Sequence, residues 1–225
     1  MSLLKKKNIL ITAGSTRGYL DAVRYITNTS TGKLGSEIAL EAMGRGAVVT
    51  YIYGADSLFP VIHDRSGLKA SQLKLIEIET NNDLMKVLQE KLKNRKFDAI
   101  IHAMAVADYV PARAKQSKTS SQKKEWLIKL VKTPKVINII RASWPESFLV
   151  GFKLEVNRTK DEIIKISRRF LTKSKANLIV ANDYKYISRN RHIAYMVTGD
   201  RKIPKPLKGK KAIAKNIISY LEKIL

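Results

Sequence analysis

Asn8-Ile9-Leu10-Ile11-Thr12-Ala13-Gly14-Ser15-Thr16-Arg17-Gly18 is the stretch on which the fold turns. Its first six residues are β-formers that are apolar on both faces, as a strand buried inside a parallel sheet requires. The run stops at a glycine-containing turn, and a turn at the carboxyl end of a first parallel strand is where α/β folds take phosphate groups. A plain tight β-α turn would read the same way. Lys5-Lys6-Lys7 before the run resembles a secretory start, but the apolar segment is too short for a leader and leads straight into the turn. The stretch therefore reads as the first strand of a cytoplasmic protein.

The same alternation continues along the chain. Further strands are predicted at Ala47–Tyr53, Leu73–Ile78, Ala99–Met104, Trp126–Leu130, Phe148–Phe152 and Asn177–Ala181. Helical periodicity lies between them: Leu34, Ile38 and Ala42 within Gly32–Met43, and Leu84, Val87, Leu88 and Leu92 within Asp83–Leu92. Thr133-Pro134 reads as an N-cap followed by proline at the first helical position. Thr159 and Glu162 form a capping box ahead of Ile163, Ile166 and Phe170. Ile213, Ile217, Leu221 and Ile224 mark a last helix. Alternating strands and helices predict an α/β fold, a Rossmann-like three-layer αβα sandwich with a mostly parallel sheet, as one domain over 1–225. Two segments depart from the pattern. Residues 113–124 are Lys/Ser/Thr-rich with no apolar period and read as a mobile flap. Ala194–Thr198, Gly199-Asp200 and Lys202-Ile203 read as a small late β-hairpin.

Composition narrows the chemistry. The 225 residues contain no cysteine, which excludes a disulfide frame and thiolate catalysis by the protein. The three histidines, His63, His102 and His192, have no metal-ligand spacing, so no metal site in the protein is expected. No apolar run approaches the roughly 20 residues of a membrane helix. The net charge of +24 is lopsided, +4 over residues 1–109 and +20 over 110–225. That suits anionic partners, yet the lysines are dispersed and no nucleic-acid motif accompanies them. A lysine-rich solvated surface explains them equally, and no specific nucleic acid and no membrane partner is expected.

Five loops at one sheet edge carry polar or glycine-rich chemistry, a convergence stronger than any single motif. Gly14 lies in the first. Arg24-Tyr25-Ile26-Thr27-Asn28-Thr29-Ser30-Thr31-Gly32-Lys33-Leu34-Gly35 is not a Walker loop, but hydroxyls, glycines and a helix start make an anion cradle, unless Ser30 or Thr31 is an ordinary N-cap. Asn28 could donate to an oxyanion. In Ala103-Met104-Ala105-Val106-Ala107-Asp108-Tyr109, small residues admit a flat ring, and Asp108 suits ribose hydroxyls or a base amine; a solvated loop aspartate is the alternative. Phe152 is a core residue or a stacking face, and Asn182 follows the strand beginning at Asn177.

In order and spacing these stretches resemble phosphopantothenoylcysteine synthetase over about residues 8–200. The resemblance is carried by the first turn, the 21–35 segment, Ala105–Tyr109, Lys132-Thr133-Pro134-Lys135-Val136, Gly151-Phe152-Lys153-Leu154-Glu155 and Ile179-Val180-Ala181-Asn182-Asp183. The versions at 104–109 and 132–136 look most like stand-alone bacterial enzymes, which implies a monofunctional ligase without a preceding decarboxylase domain. The resemblance implies a homodimer that joins 4′-phosphopantothenate to L-cysteine through an acyl-nucleotidyl intermediate, with Mg²⁺ on a nucleoside triphosphate, CTP rather than ATP. Carried onto this sequence, Asn28 handles the acyl intermediate and Lys118 closes the flap over the triphosphate. Gly14, Arg24, Ser30, Gly32 and Gly35 line the cradle. His102, Ala103, Met104, Asp108, Pro134, Lys135, Val136, Ile137, Phe152 and Asn182 form the nucleotide pocket. Of the basic residues Arg168, Arg169, Lys173 and Lys175, the two lysines are the ones expected near phosphate. Two departures stand out: Ser15 and Gly18-Tyr19 where the family often has Gly and Glu-Pro, and Met104 where Ala is common. A short-chain NAD(P) oxidoreductase shares the fold, but its Tyr-x-x-x-Lys pair is missing: Arg113 follows Tyr109 and Asn190 follows Tyr186 at that spacing. A non-catalytic basic binding protein is the third reading.

Overall fold

The structure, a computed structural model, describes residues 4–63, 67–122, 124–188, 191–200 and 202–225. Eight strands form one sheet in the order β12-β11-β10-β9-β6-β1-β4-β5. Its strands are β1 (Asn8–Ala13), β4 (Val48–Gly54), β5 (Leu73–Ile78), β6 (Ala99–His102), β9 (Phe148–Glu155), β10 (Leu178–Asp183), β11 (Ile193–Val197) and β12 (Pro206–Lys208). The first six of these run parallel, and β11 and β12 add antiparallel pairs at one edge. Taken in chain order, the parallel set has the doubly wound 3-2-1-4-5-6 arrangement, whose direction reverses between β1 and β6.

The two faces follow from period-two alternation. Ile9, Ile11 and Ala13 of β1 join Val150, Leu178 and Val180 in one core cluster, which α1 (Lys33–Gly44) and α5 (Lys210–Glu222) cover. Leu10, Ile100, Leu149 and Ile179 point the other way, under α2 (Asn81–Lys86), α3 (Val136–Ser143) and α4 (Lys160–Ser174). The predicted apolar positions of the 83–92 helix are all buried, but that helix starts at Asn81 on a Thr80/Asp83 capping box and widens into a π turn over Val87–Lys91. The Thr159/Glu162 capping box of α4 is present as read. None of the described helices is long and apolar enough to cross a membrane.

Four expectations need correction. Trp126–Leu130 is not a strand of the main sheet. β9 pairs directly with β6, Ala99 opposite Phe148, so no gap exists for it. The strand forms later, as β8 (Leu130–Lys132) against β7 (Tyr109–Pro111), in a separate two-stranded ribbon. The late hairpin closes on Pro206–Lys208, not Lys202-Ile203, with Ala194 opposite Leu207. Ile203 is exposed while Leu207 packs on the core, and residue 201 lies outside the described residues. Thr133 does not cap α3. Its hydroxyl donates to the Ala107 carbonyl at 2.7 Å, and the helix begins at Val136 with Lys135 as N-cap. The N-cap of α1 is Gly32 rather than Ser30 or Thr31, although the Thr31 hydroxyl accepts from the Lys33 N–H at 3.4 Å.

Candidate active site

The carboxyl ends of β1 and β6 stay joined beyond the strands. Ala105 N donates to Gly14 O at 2.8 Å, and Ala107 N donates to the Thr16 hydroxyl at 2.9 Å. Between β1 and α1 the chain makes an excursion that the sequence reading missed: β2 (Arg17–Tyr19) pairs antiparallel with β3 (Tyr25–Thr27). This hairpin returns the chain to the sheet edge, where Asn28 Nδ2 donates to Ala105 O at 3.2 Å. Asn28 is therefore placed by a backbone acceptor on the neighbouring strand's loop and is exposed to solvent.

Two glycines shape the entry to α1. Gly14 has φ 81° and Gly32 φ 75°, conformations that cost L side chains energy. A Cβ at Gly14 would lie 2.1 Å from the Ser57 hydroxyl oxygen, and one at Gly32 would lie 2.7 Å from Leu58 O. Their close packing is thus against the loop after β4. The first intrahelical bond of α1 runs from Ser36 N to Gly32 O at 3.0 Å, so the N–H groups ahead of it have no partner within the helix, and no acidic residue stands in the first turn. A helix start of this kind attracts anions. Gly35 lies one turn in, packed against Ala13.

Phe152 packs against the cluster under α1 and α5, half-buried. Asn182 shares that face, because Leu178 and Val180 of the same strand do. On the opposite face the Thr12 hydroxyl and His102 Nδ1 are 2.7 Å apart, both buried. Burial pushes the His102 imidazole down to about 4, so it is neutral near pH 7. Met104, Val136 and Ile137 are also buried there. Lys135 pairs with Asp108 at 2.6 Å, both groups half-exposed. Ala103 N is held by Thr12 O at 2.9 Å, and Pro134 stands exposed ahead of α3.

The flap is pinned at two points. Lys115 N donates to Leu20 O at 3.1 Å, and Thr119 N donates to the Asp21 carboxylate at 2.9 Å. Arg24 is occupied here: it pairs with Asp21 at 3.2 Å, donates to Thr119 O and lies over Trp126. The Thr119 N–H, with those of Val23 and Arg24, lowers the Asp21 carboxyl to about 2. Lys118, next to the anchor, is exposed, and residue 123 of the flap lies outside the described residues. A cavity of about 410 Å³ between the flap and the stretch after Trp126 is lined by Leu20, Arg113, Lys115 and Trp126, away from the sheet edge.

The structure does not bring Lys173 and Lys175 to this edge. α4 leaves the carboxyl end of β9 and runs back, so its C-terminus, where both lie, stands at the amino end of β10. Besides Lys135, basic residues that reach the carboxyl edge include Lys33 and Lys210, at the first positions of α1 and α5. Lys210 escaped the sequence reading because nothing local marks it; its neighbour across the edge is 177 residues away in the chain, and only packing of α5 beside α1 unites them.

A doubly wound sheet with a polar, glycine-shaped carboxyl edge defines a Rossmann-like α/β domain, the class that takes ligands at the point where its strand order reverses. A family model, the DNA/pantothenate metabolism flavoprotein C-terminal domain, matches residues 4–225, and the chain belongs to that family. The coenzyme A biosynthesis bifunctional protein CoaBC of Thermococcus kodakarensis is 33% identical over 222 residues, which are 99% of this chain and 52% of that protein. The chain thus spans about half the length of that relative. Among solved structures, the DNA/pantothenate metabolism flavoprotein from Streptococcus pneumoniae superposes with a TM-score of 0.84 at 31% identity, covering 97% of this chain and 100% of that one. The C-terminal domain of a CoaBC protein gives 0.78 at 29% identity, covering 100% and 98%.

Proposed function

We propose that the chain is a phosphopantothenate–cysteine ligase that uses a nucleoside triphosphate, CTP in preference to ATP. The observation that carries the reading is spatial. Asn28 with the nearby start of α1, Phe152 and Asn182 come from three distant stretches to one carboxyl edge, within a pantothenate-metabolism family. A carboxylate oxygen of 4′-phosphopantothenate attacks the α-phosphorus of the nucleotide and pyrophosphate leaves. The cysteine amine then attacks the acyl carbon, the nucleoside monophosphate departs, and the amine loses a proton. This sequence asks the protein for no nucleophile, only for positioning and for donors where negative charge grows. The Asn28 amide supplies such a donor to the acyl oxygen, while Lys118 and the α1 N–H groups face the phosphates.

Magnesium enters as part of the nucleotide substrate, held by phosphate oxygens and water. Among the described residues no three His, Cys, Asp or Glu side chains converge on one point. A homodimer is part of the same reading. The two short ribbons leave Val23, Tyr25, Tyr109, Leu127 and Val131 exposed, apolar surface of the sort a second copy covers. The cytoplasm is the compartment in which its substrates are expected. The test is pyrophosphate release from CTP or ATP with Mg²⁺, 4′-phosphopantothenate and L-cysteine. Release that depends on phosphopantothenate is expected, fastest with CTP; folded protein silent with both nucleotides would end the proposal.

A further inference from the structure

At the carboxyl end of β10, Asn182 Nδ2 and His192 Nε2 are 2.9 Å apart. Asn182 is 6% and His192 5% exposed. Both sit on the α1/α5 face of the sheet, and the His192 carbonyl accepts from Gly209 N at 2.7 Å, which fixes the residue against the start of α5. An amide nitrogen only donates, so His192 Nε2 must accept, and the ring proton of the neutral imidazole is on Nδ1. Burial, with Lys210 nearby, lowers the His192 imidazole to about 4, in keeping with a neutral ring.

The pairing leaves two atoms over. Asn182 Oδ1 and His192 Nδ1 are buried with no hydrogen-bond partner in the protein. Buried polar groups in folded proteins are paired almost without exception, so an acceptor and a donor left open on two bonded side chains mark a place for another molecule's complementary groups. Phe152, on the neighbouring strand and the same face, offers the flat surface beside them.

We infer that His192 is a positioning residue: it holds the Asn182 amide in the orientation that presents Oδ1 as an acceptor to a donor group of the bound nucleoside. The inference rests on the ligase reading for the ligand's identity, and on geometry alone for the pair. Two groups on a cytidine nucleotide can supply the donor, a ribose hydroxyl or the exocyclic amine. Without His192 the amide is free to turn over, and Nδ2 then meets that donor instead.

Two experiments test this. In the wild-type enzyme, nitrogen-15 NMR of the His192 ring should show the tautomer protonated at Nδ1; protonation at Nε2 would overturn the pair's orientation whatever the enzyme's activity. In steady-state kinetics, His192→Phe, which keeps the ring volume, should raise the nucleotide KM about tenfold, the worth of one such hydrogen bond. The kcat and the cysteine KM should hold within about twofold, because the bond is made equally in ground and transition states. His192→Gln, whose amide oxygen can accept from Asn182, should recover most of the loss. UTP, 2′-deoxy-CTP and 3′-deoxy-CTP separate the donors: the analogue lacking the right group should lose about tenfold in the wild type and nothing further in His192→Phe. A folded His192→Phe with unchanged nucleotide KM, or three analogues that all lose as much in the variant as in the wild type, would refute the role. If no nucleotide supports product formation, the ligase reading fails and the tautomer alone decides the pair.

Discussion

Gly35→Ala tests how tightly α1 is clamped to the sheet. The new Cβ would lie 2.3 Å from the Ala13 Cβ and 3.1 Å from the Tyr51 hydroxyl. Methyl groups in contact sit about 3.5–4.0 Å apart, so the pair must separate by roughly 1.2–1.7 Å. Ala13 cannot yield, because β1 is bonded to β4 on one side and β6 on the other. The helix must move. Overpacking of this kind costs about 1–3 kcal/mol, and a rigid strand puts this site near the upper figure. At about 2–4 °C per kcal/mol for a chain of this size, the melting temperature should fall by about 6–12 °C. The shift also carries Gly32 and Lys33, and a displacement near 1 Å at a reacting centre costs roughly 100-fold. Gly44→Ala is the control, since a Cβ there meets nothing within 4 Å at the end of the same helix. Differential scanning fluorimetry and pyrophosphate release should separate the two variants. If Gly35→Ala melts within about 2 °C of the wild type and turns over normally, α1 slides freely and the packing argument is wrong.

Asn28→Ala should still release pyrophosphate but form product about 100-fold more slowly, read by following both products in one reaction; equal loss of both would give Asn28 another task. Lys118→Ala should lower turnover by about 100-fold or more while leaving the melting temperature unchanged, since the side chain is exposed. Asp21 is held near 2 chiefly by the Thr119 N–H, below the ordinary 3.8. Its contribution is therefore complete above about pH 4 and disappears as the pH falls toward 2. An acid protease should cut the 113–124 loop faster across that window, and Asp21→Asn should abolish the dependence and expose the loop to trypsin at pH 7. Thr12→Val strips His102 Nδ1 of its buried partner. A loss of about 1–3 kcal/mol is expected, or a fall of about 2–12 °C in melting temperature.

The interior strands of the central sheet were legible because they are buried on both faces, which leaves a nearly unbroken apolar signature; the edge strand Leu73–Ile78, with Lys74, Leu75 and Glu77 exposed, was legible from its apolar and β-branched residues instead. Asn8–Ala13 and Leu73–Ile78 match to the residue, and the other central strands to within a few. The short ribbons were not legible. Arg17–Tyr19 and Tyr25–Thr27 are three residues each, half-exposed and rich in polar groups, so no period distinguishes them from loop. Trp126–Leu130 misled for the converse reason: its apolar side chains face outward, Leu127 being 90% exposed. At the site, Asn28 and Asp108 stand beside the carboxyl ends of β1 and β6 because their segments follow those strands. Lys173 and Lys175 were misplaced because charge alone does not say at which end of a helix a lysine falls. His192 carries no motif; only the fold sets it against Asn182.

Arg45, near the end of α1, bonds both Glu41 of its own helix and Glu222 of α5, a contact across 177 residues. The first and last helices of the domain therefore finish one surface together. During synthesis α1 leaves the ribosome with its flank bare, and Ile213, Ile217 and Leu221 arrive to cover it only after the intervening sheet strands have been made. At about 5–20 residues per second, that interval is roughly 10–35 s. For that time the growing chain displays an apolar groove beside Ala39 and Ala42, and the seal is set by the final turns of α5. The seam between α1 and α5 thus joins helices whose first residues, Lys33 and Lys210, are 177 positions apart, and its closure waits on the sheet that lies between them in the chain.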